Sequence, residues 1–107
     1  MIVSGFNVYP SEVEDVIKEV DGVQDVAVIG VDDPVTGEAV VAYVRAPGVS
    51  PVTLVDVVRA RCEQRLARFK VPSRIEVVDE LPTTSTGKVQ KGRLRGIERR
   101  RALGLLE

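Results

Sequence analysis

The sequence predicts an α+β fold: a small mixed or antiparallel three-stranded sheet with helices packed on it, plus an N-terminal strand or hairpin segment. Two strand-like stretches follow one another directly in the middle of the chain, and helical stretches flank them, which is the order typical of this class. The 107 residues suffice for one domain with one core, and no linker or internal repeat interrupts them. We therefore expect residues 1–107 to form a single domain.

The first helix is predicted to begin at Pro10, because proline suits the first helical turn and because Glu12 and Glu14 favour the positive end of the helix dipole. Asp21 and Gly22 are expected to end this helix. Four apolar residues recur at helical spacing and predict its buried stripe: Val13, Val16, Ile17 and Val20.

A β-hairpin is predicted next. Residues 23–31 are rich in β-branched side chains, and residues 39–44 are apolar on both faces, which is typical of a central strand. The cluster Asp-Asp-Pro-Val-Thr-Gly at residues 32–37 is a turn signal. Because so few residues separate the two stretches, we expect them to pair.

A second helix is predicted from about residue 53 to residue 67, with Thr53 and Asp56 approximating a capping box. A third strand at residues 75–78 follows, and a basic segment at residues 92–103 is able to form a last helix. The buried stripe of the second helix is predicted to contain Leu54, Val57, Val58, Cys62 and Leu66.

Composition excludes several kinds of chemistry. The chain has no histidine, so Ser-His-Asp catalysis, Cys-His catalysis and histidine-built metal sites are excluded. Cys62 is the single cysteine; it cannot form a disulfide within the chain and is expected to be a core thiol. No apolar run approaches the roughly 20 residues of a membrane span. These features are typical of a metal-free chain in a reducing compartment, and we expect it in the cytoplasm.

The charges are segregated along the chain although the net charge is only −1. Residues 11–38 hold nine acids and one base, whereas residues 88–101 hold seven bases and one acid. Two interpretations remain open. Either the two regions are solvated faces that attract each other, or the basic end binds a phosphate-bearing ligand.

The segment Leu-Pro-Thr-Thr-Ser-Thr-Gly-Lys at residues 81–88 is the first candidate for chemistry. It is rich in small and hydroxyl side chains, and Lys88 is its only charge. A lysine that follows glycine on a flexible loop can reach a carboxylate or a phosphate. The segment is not a Walker A loop, because Pro82 stands where that motif needs glycine and Val89 where it needs Ser or Thr. An ordinary surface lysine is the alternative.

Residues 4–10 form a second candidate loop. Gly5 permits close backbone approach or a positive φ. The simplest interpretation of Phe6 and Tyr9 is that they pack the first helix onto the core. Lys70 follows an arginine-rich helix, and from the residues alone it is interpreted as a solvated lysine.

Two segments resemble the motifs of a known family. Residues 4–14, Ser-Gly-Phe-Asn-Val-Tyr-Pro-Ser-Glu-Val-Glu, are similar to the motif that opens the small C-terminal domain of adenylate-forming enzymes. Residues 69–72, Phe-Lys-Val-Pro, followed by residues 78–88, Val-Asp-Glu-Leu-Pro-Thr-Thr-Ser-Thr-Gly-Lys, resemble the closing motif of that domain. The resemblance covers essentially the whole chain. The Gly-Phe-Asn-Val-Tyr-Pro form looks most like the long-chain fatty acid–CoA ligases.

The resemblance implies a reaction in two halves. A carboxylic acid and ATP give an acyl-adenylate and pyrophosphate, and coenzyme A then gives the thioester and AMP. In such enzymes a large N-terminal domain binds ATP, Mg²⁺ and the acid, while the small domain rotates between the half-reactions. By this resemblance Lys88 is catalytic in the first half-reaction, and Gly5 lines the tunnel for pantetheine in the second. The cofactor-binding residues that it implies are Gly5, Phe6, Asn7, Lys70 and Gly87.

The sequence departs from the family pattern in two respects. The family usually has arginine three residues after the loop lysine, where this chain has Lys91; the charge is kept, but the bidentate fork of a phosphate clamp is lost. Neither the hinge residue nor the ATP-binding domain is in this sequence. We therefore expect a C-terminal domain that is inactive by itself and whose partner is the N-terminal domain of its parent enzyme.

Two other functions remain open. An acyl-AMP ligase or a peptide-synthetase adenylation domain would use the same small domain to meet a pantetheine carried by a protein. A module of a different class would bind nucleic acid through the basic C-terminal end, although no aromatic residue lies among those bases for stacking. Long-chain acids would bring the parent enzyme to a membrane surface, so peripheral membrane contact is part of the expectation.

Overall fold

The computed structural model describes residues 1–104 and confirms the α+β fold, with three helices and a five-stranded mixed sheet in this part of the chain. Residues 105–107 of the predicted single domain lie outside the described residues. The strands are β1 (Ile2–Val3), β2 (Phe6–Asn7), β3 (Asp25–Asp33), β4 (Gly37–Arg45) and β5 (Arg74–Val77), and the helices are α1 (Pro10–Lys18), α2 (Pro51–Arg65) and α3 (Lys91–Ala102).

Strand β4 lies at the centre of the sheet. Strand β3 pairs with it antiparallel along its whole length, from Asp25 opposite Arg45 to Asp33 opposite Gly37. Strand β5 runs parallel to β4 and pairs with its residues 41–44, whereas β1 pairs antiparallel with it at Gly37. The predicted hairpin and the predicted central strand are therefore both confirmed.

The turn between β3 and β4 is held by one carboxylate. Asp33 accepts hydrogen bonds from the backbone N–H groups of Val35 (2.8 Å) and Thr36 (2.9 Å), and Gly37 has a φ of 85°. The bonds from Thr36 and Val35 hold the pKa of the Asp33 carboxyl below its usual value. The turn predicted at residues 32–37 thus forms through an Asx-type contact followed by a left-handed glycine.

Each face of the sheet carries its own hydrophobic cluster, because successive strand residues point to opposite faces. Helices α1 and α2 cover one face, where Ile17 and Leu54 pack with Val28. Helix α3 covers the other face, where Leu94 packs against Ile29 and Tyr43. The predicted stripe of α1 is buried at all four of its positions, Val13, Val16, Ile17 and Val20. The sheet is therefore the middle layer of three.

The predicted stripe of α2 is only partly confirmed. Leu54, Val58 and Cys62 are fully buried, and burial raises the pKa of the Cys62 thiol to about 11, as fits a core residue. Val57 is 42% exposed, so its predicted burial was wrong. The buried face is the narrow i, i+4, i+8 row, and Val57 lies beside that row. Leu66 is half-buried, just beyond the end of the helix.

The predicted capping box at Thr53 was wrong. Helix α2 begins at Pro51, and Ser50 is its N-cap residue. Thr53 therefore lies inside the first turn, where its side chain cannot cap the helix. Proline fits this start because its fixed φ is compatible with a helix and its missing N–H is not needed there.

Strand β5 and helix α3 each begin one residue before their predicted starts at residues 75 and 92. Within residues 1–104, no helix combines the length and apolarity that a membrane crossing requires.

We expect Leu54→Ala to lower the free energy of unfolding by about 2–5 kcal/mol, because this fully buried side chain joins α2 to the sheet. The control is Val52→Ala on the same helix, where the side chain is 74% exposed and the expected loss is within about 0.5 kcal/mol. Urea unfolding of the 107-residue chain measures both. Equal losses in the two variants would contradict the observed packing of α2.

Candidate functional site

Lys88 lies in a small hydrogen-bonded hairpin rather than in an irregular loop. The N–H of Gly87 donates to the carbonyl of Thr84 (2.9 Å), and the N–H of Thr84 donates to the carbonyl of Lys88 (2.7 Å). Gly87 has a φ of 88°, which is the conformation that closes a three-residue hairpin loop. An antiparallel bridge between Thr83 and Val89 continues the pairing. The sequence predicted a loop here, and the structure shows that it is a hydrogen-bonded turn.

The base of this hairpin is fixed to the domain. The N–H of Gln90 donates to the carbonyl of Pro82 (2.7 Å), which closes the hairpin from outside. Leu81 and Val89 pack against the hydrophobic cluster on the α3 face of the sheet. The hairpin therefore projects from a packed base, and its backbone presents Lys88 at a defined place.

The ammonium of Lys88 is exposed to solvent. Within residues 1–104 Lys88 forms no ion pair, and the same is true of Lys18. Three of the paired cations are Lys70 with Glu12 at 2.8 Å, Lys91 with Glu14 at 2.8 Å, and Arg45 with Asp25 at 3.1 Å. In the described part of the chain, Lys88 thus has a free charge on an ordered support. Such a group can bind an external anion without first breaking an internal contact.

The second predicted loop is the turn of the β1–β2 hairpin. Ser4 and Gly5 have φ values of 51° and 85°, and Val3 pairs with Phe6, which defines a two-residue type I′ turn. A Cβ placed on Gly5 would meet no atom of this chain within 4 Å. Asn7 follows in β2 and is exposed. The glycine is therefore required by the backbone conformation of the turn, and the space above it is open.

The aromatic residues of this loop do not pack α1 onto the core, so that interpretation was wrong. Phe6 is 56% exposed and Tyr9 is 63% exposed. Phe6 stacks on Phe69, with ring centroids 4.4 Å apart and an interplanar angle of 20°. The N-terminal hairpin is held instead by Val3 and Val8, which are buried among the residues of the α1–α2 face. An aromatic surface is left exposed next to Gly5.

Lys70 lies beside this aromatic pair but is not a freely solvated lysine. Its ammonium is 2.8 Å from a carboxylate oxygen of Glu12 and 5.8 Å from the centroid of the Phe69 ring. Its side chain is only 22% exposed. Lys70 can therefore bind an added anion only if it exchanges or shares its contact with Glu12.

The structure does not bring the predicted site residues together into one site. The Lys88 hairpin, with Gly87 in its turn, is anchored through Leu81 and Val89 to the α3 face of the sheet. The hairpin that carries Gly5, Phe6 and Asn7 is anchored to the α1–α2 face, against which Phe69 also packs. The domain thus has two separate exposed loops, one anchored on each face, and Lys70 belongs with the second.

Sequence reasoning missed a buried charged network on the α3 face. Glu98 is 8% exposed, and its carboxylate accepts hydrogen bonds from the hydroxyl of Tyr43 and the guanidinium of Arg74. Arg101 lies 3.7 Å from Glu98 and 3.4 Å from Glu76, which also pairs with Arg74 at 2.5 Å. Tyr43 and Arg74 are far from Glu98 in the sequence, so no local pattern could have indicated that this carboxylate is buried between them. The network fixes α3 against β4 and β5.

Burial and charge act together on the pKa values of this network. Burial by itself raises the pKa of the Glu98 carboxyl, but the hydrogen bonds from Arg74 and Tyr43 outweigh it and leave the pKa below its usual value. Burial and the nearby Glu98 carboxylate raise the pKa of Tyr43 to about 12. The hydrogen bond with Glu98 raises the pKa of the Arg74 guanidinium further. Glu98 is therefore ionised and Tyr43 neutral near neutral pH.

An open cavity of about 610 Å³ lies beside α3, but none of the predicted site residues lines it. Charges of both signs surround it, with Arg95 and Arg99 on α3 and with Asp32 and Glu38 on the sheet. This mixture gives no clear preference for an anionic or a cationic ligand. The two exposed loops remain the candidate functional surfaces.

Because the pKa of Tyr43 is raised, the free energy of unfolding of the domain depends on pH in the alkaline range. The neutral phenol is favoured by the fold, so its contribution is complete below the ordinary pKa of 10.0 and is lost as the pH rises to about 12. In a Tyr9→Phe chain, we expect the ultraviolet absorbance of tyrosinate to rise with a midpoint near pH 12. Circular dichroism in the same titration shows whether the chain is folded. A midpoint near pH 10 in a folded chain would contradict the buried Tyr43–Glu98 contact.

Comparison with known proteins agrees with this geometry. The family model described as AMP-binding enzyme C-terminal domain matches residues 12–88. A methyl-dioxo-octahydroindenyl-propanoyl:CoA ligase of Rhodococcus jostii is 52% identical over 95 residues, which are 88% of this chain and 18% of that enzyme. A long-chain-fatty-acid–CoA ligase of Escherichia coli is 42% identical over 97 residues, which are 89% of this chain and 17% of that enzyme.

A solved structure shows the same fold. ATP-bound MatB from Rhodopseudomonas palustris is 38% identical, has a TM-score of 0.83, and matches 92% of this chain and 20% of that one. The chain thus spans about a fifth or less of the length of these proteins. The family match covers most of the chain and includes both Glu12 and Lys88. The chain belongs to the AMP-binding enzyme C-terminal domain family.

Proposed function

We propose that this domain is the mobile C-terminal part of a fatty acid–CoA ligase, in which Lys88 assists adenylate formation and the β1–β2 hairpin lines the path of coenzyme A. Because the chain spans about 18% of its CoA-ligase relatives, the complete reaction needs the rest of such an enzyme. ATP, the acid and coenzyme A are the substrates of the proposal. Among residues 1–104, no three acidic or thiol side chains cluster to hold a metal ion, so Mg²⁺ is assigned to the larger domain.

The chemistry of the first half-reaction calls for a positioned cation. The acid carboxylate must approach the α-phosphate of ATP, and these two anions repel each other. An ammonium placed between them offsets the repulsion and stabilises the charge that grows at phosphorus in the transition state. Lys88 fits this role because it is a compact cation at the end of a loop of small side chains.

The proposal depends on one observation: the Lys88 ammonium is exposed and has no acid partner within residues 1–104. It lies on an ordered hairpin. An ammonium with an internal partner would have to give up that contact before it reached a substrate. Preorganised groups that need no such rearrangement contribute most to catalysis.

The second half-reaction calls for a narrow open path rather than a charge. The backbone at Gly5 has a positive φ, and the space above it is free of other atoms of this chain. A pantetheine arm can therefore pass close to the backbone there. Phe6 offers an exposed apolar face next to this point, and Asn7 offers a polar side chain. Lys70 remains a predicted cofactor-binding residue that would have to exchange Glu12 for the ligand.

The separate faces of the two loops support a rotating domain. The Lys88 hairpin is anchored on the α3 face and the Gly5 hairpin on the α1–α2 face. We infer that the two loops enter the active site in different orientations of the domain. A rotation between the half-reactions presents them in turn, which also clears the site for the thiol.

We assign the acid to the fatty-acid class for two reasons. The sequence around Gly5 resembles that of long-chain fatty acid–CoA ligases, and one of the relatives compared above has that name. The residues that would select the acid belong to the larger domain. The CoA ligases compared above include one with a polycyclic propanoyl name and one with a long-chain fatty acid name. Product analysis with coenzyme A as the only acceptor tests the thiol. Turnover only with a carrier protein would instead indicate an acyl-AMP ligase or a peptide-synthetase domain.

In the full-length enzyme that carries this domain, we expect Lys88→Ala to slow adenylate formation by about 10²-fold or more, because a preorganised transition-state cation is lost. Thioester formation from supplied acyl-adenylate should stay close to the unmodified rate. Pyrophosphate release and thioester production in single-turnover experiments measure the two steps separately.

The control for this experiment is Lys18→Ala. Lys18 is an exposed lysine in the last turn of α1, and it should affect neither step. An equal loss of both half-reactions in the Lys88 variant would contradict the assigned role.

We expect Gly5→Leu to slow thioester formation more than adenylate formation, because the added side chain enters the proposed pantetheine path. Gly5→Ala is the matched control, since it imposes the same backbone strain at a φ of 85° with much less volume. The difference between the leucine and alanine variants in CoA-dependent turnover isolates the steric effect. Equal thioester rates in the two variants would contradict a tunnel at Gly5.

A further inference from the structure

We propose that Glu14 and Lys91 form a positioning pair for Lys88, an inference that rests on the proposed function and deepens it. The ammonium of Lys91 lies 2.8 Å from a carboxylate oxygen of Glu14. The same oxygen accepts the backbone N–H of Val28 at 2.8 Å. The carboxylate thus joins one residue from each of three elements: α1, β3 and the first turn of α3.

The pair crosses the free edge of the sheet. Strand β3 is the edge strand, and the N–H of Val28 points away from β4 towards Glu14. Helix α1, which carries Glu14, lies on one face, and helix α3, which begins at Lys91, lies on the other. An ion pair that spans an edge in this way limits how far the start of α3 can move relative to the sheet.

The Glu14–Lys91 ion pair is partly buried, so it is expected to be stronger than an ion pair on the open surface. The Glu14 side chain is 15% exposed and that of Lys91 is 31% exposed. Surface pairs are weakened by solvent and by side-chain freedom, whereas a partly buried carboxylate that also accepts a backbone N–H is held in one geometry. Glu14 would lose a fixed partner if the charge of Lys91 were removed.

Lys91 is close to the catalytic hairpin along the chain. Lys91 stands three residues after Lys88, and the residue before it, Gln90, closes the Lys88 hairpin through its bond to the carbonyl of Pro82. A shift of the first turn of α3 is therefore passed directly to Lys88. Misplacement of a reacting group by about 1 Å can cost about 10²-fold in rate. Because Lys91 is held by Glu14 within the domain, the structure assigns it a positioning role rather than a contact with phosphate.

The test compares single and double variants in the full-length enzyme. We expect Lys91→Met and Glu14→Gln each to lower the kcat of adenylate formation by about ten- to a hundredfold, with little change in the KM for ATP. The double variant should be no slower than the slower single variant, because both changes break the same contact. Thioester formation from supplied acyl-adenylate should be unchanged.

Two controls make the result specific. Arg93→Met, in the same helical turn but exposed, should leave both half-reactions unchanged. Lys91→Arg should restore most of the rate, because arginine can also pair with Glu14. Thermal unfolding of each variant shows whether the domain remains folded. A general loss of folding would slow both half-reactions and would overturn the positioning role.

A direct phosphate contact predicts a different pattern. Lys91→Met would then raise the KM for ATP, Glu14→Gln would leave adenylation unchanged, and the two effects would be additive. That pattern would refute the positioning pair. Lys88→Ala, measured in parallel, separates the two proposals. If Lys88→Ala does not slow adenylate formation, the proposed function fails. If Lys88→Ala slows it but the Lys91 and Glu14 variants react at the normal rate, only the positioning pair is refuted.

Discussion

Strand β4 is hydrogen-bonded along both edges and buried on both faces, and the positions of the two candidate functional loops depend on it. Its residues 40–44 are almost completely buried, with Val40, Ala42 and Val44 in one cluster and Val41 and Tyr43 in the other. A strand in this position cannot slip by one residue, because the slip would exchange the two sets of side chains between the two clusters. The helices on each face, and the hairpins anchored beside them, are thereby fixed relative to one another.

The charges of the domain follow a consistent arrangement around this frame. The acidic segment of α1 neutralises two lysines, since Glu12 pairs with Lys70 and Glu14 pairs with Lys91. Attraction between the acidic and basic regions was one of two interpretations left open by the sequence, and the contact between Glu14 and Lys91 supports it. Lys88 differs from these lysines in that no acid of residues 1–104 pairs with it. Two lysines thus have internal partners, whereas the Lys88 ammonium has none within residues 1–104.

The sequence predicted those features that depend on neighbouring residues. The stripe of α1, the β3–β4 hairpin and the central strand follow from short-range periodicity and turn residues, and they are confirmed. Features that depend on distant contacts were not predicted. Glu98 lies among arginines, a pattern typical of a solvated helix. It is nevertheless buried, because Tyr43 and Arg74 donate hydrogen bonds to its carboxylate. The pairing of Lys91 with Glu14 was missed for the same reason.

The sequence around Lys88 contains a local hairpin pattern that was not recognised in the prediction. Thr83 and Val89 are β-branched, and the residues between them include a glycine, which is the pattern of a short hairpin. Small and hydroxyl side chains predominate in this segment, which favoured the prediction of a flexible loop. Its order comes instead from backbone bonds within the turn and from Leu81 and Val89 at its base. The consequence for the proposed mechanism is that motion belongs to the domain as a whole. In the proposed mechanism, a hairpin held by hydrogen bonds and a packed base loses less conformational entropy when its ammonium meets a substrate than an irregular loop would.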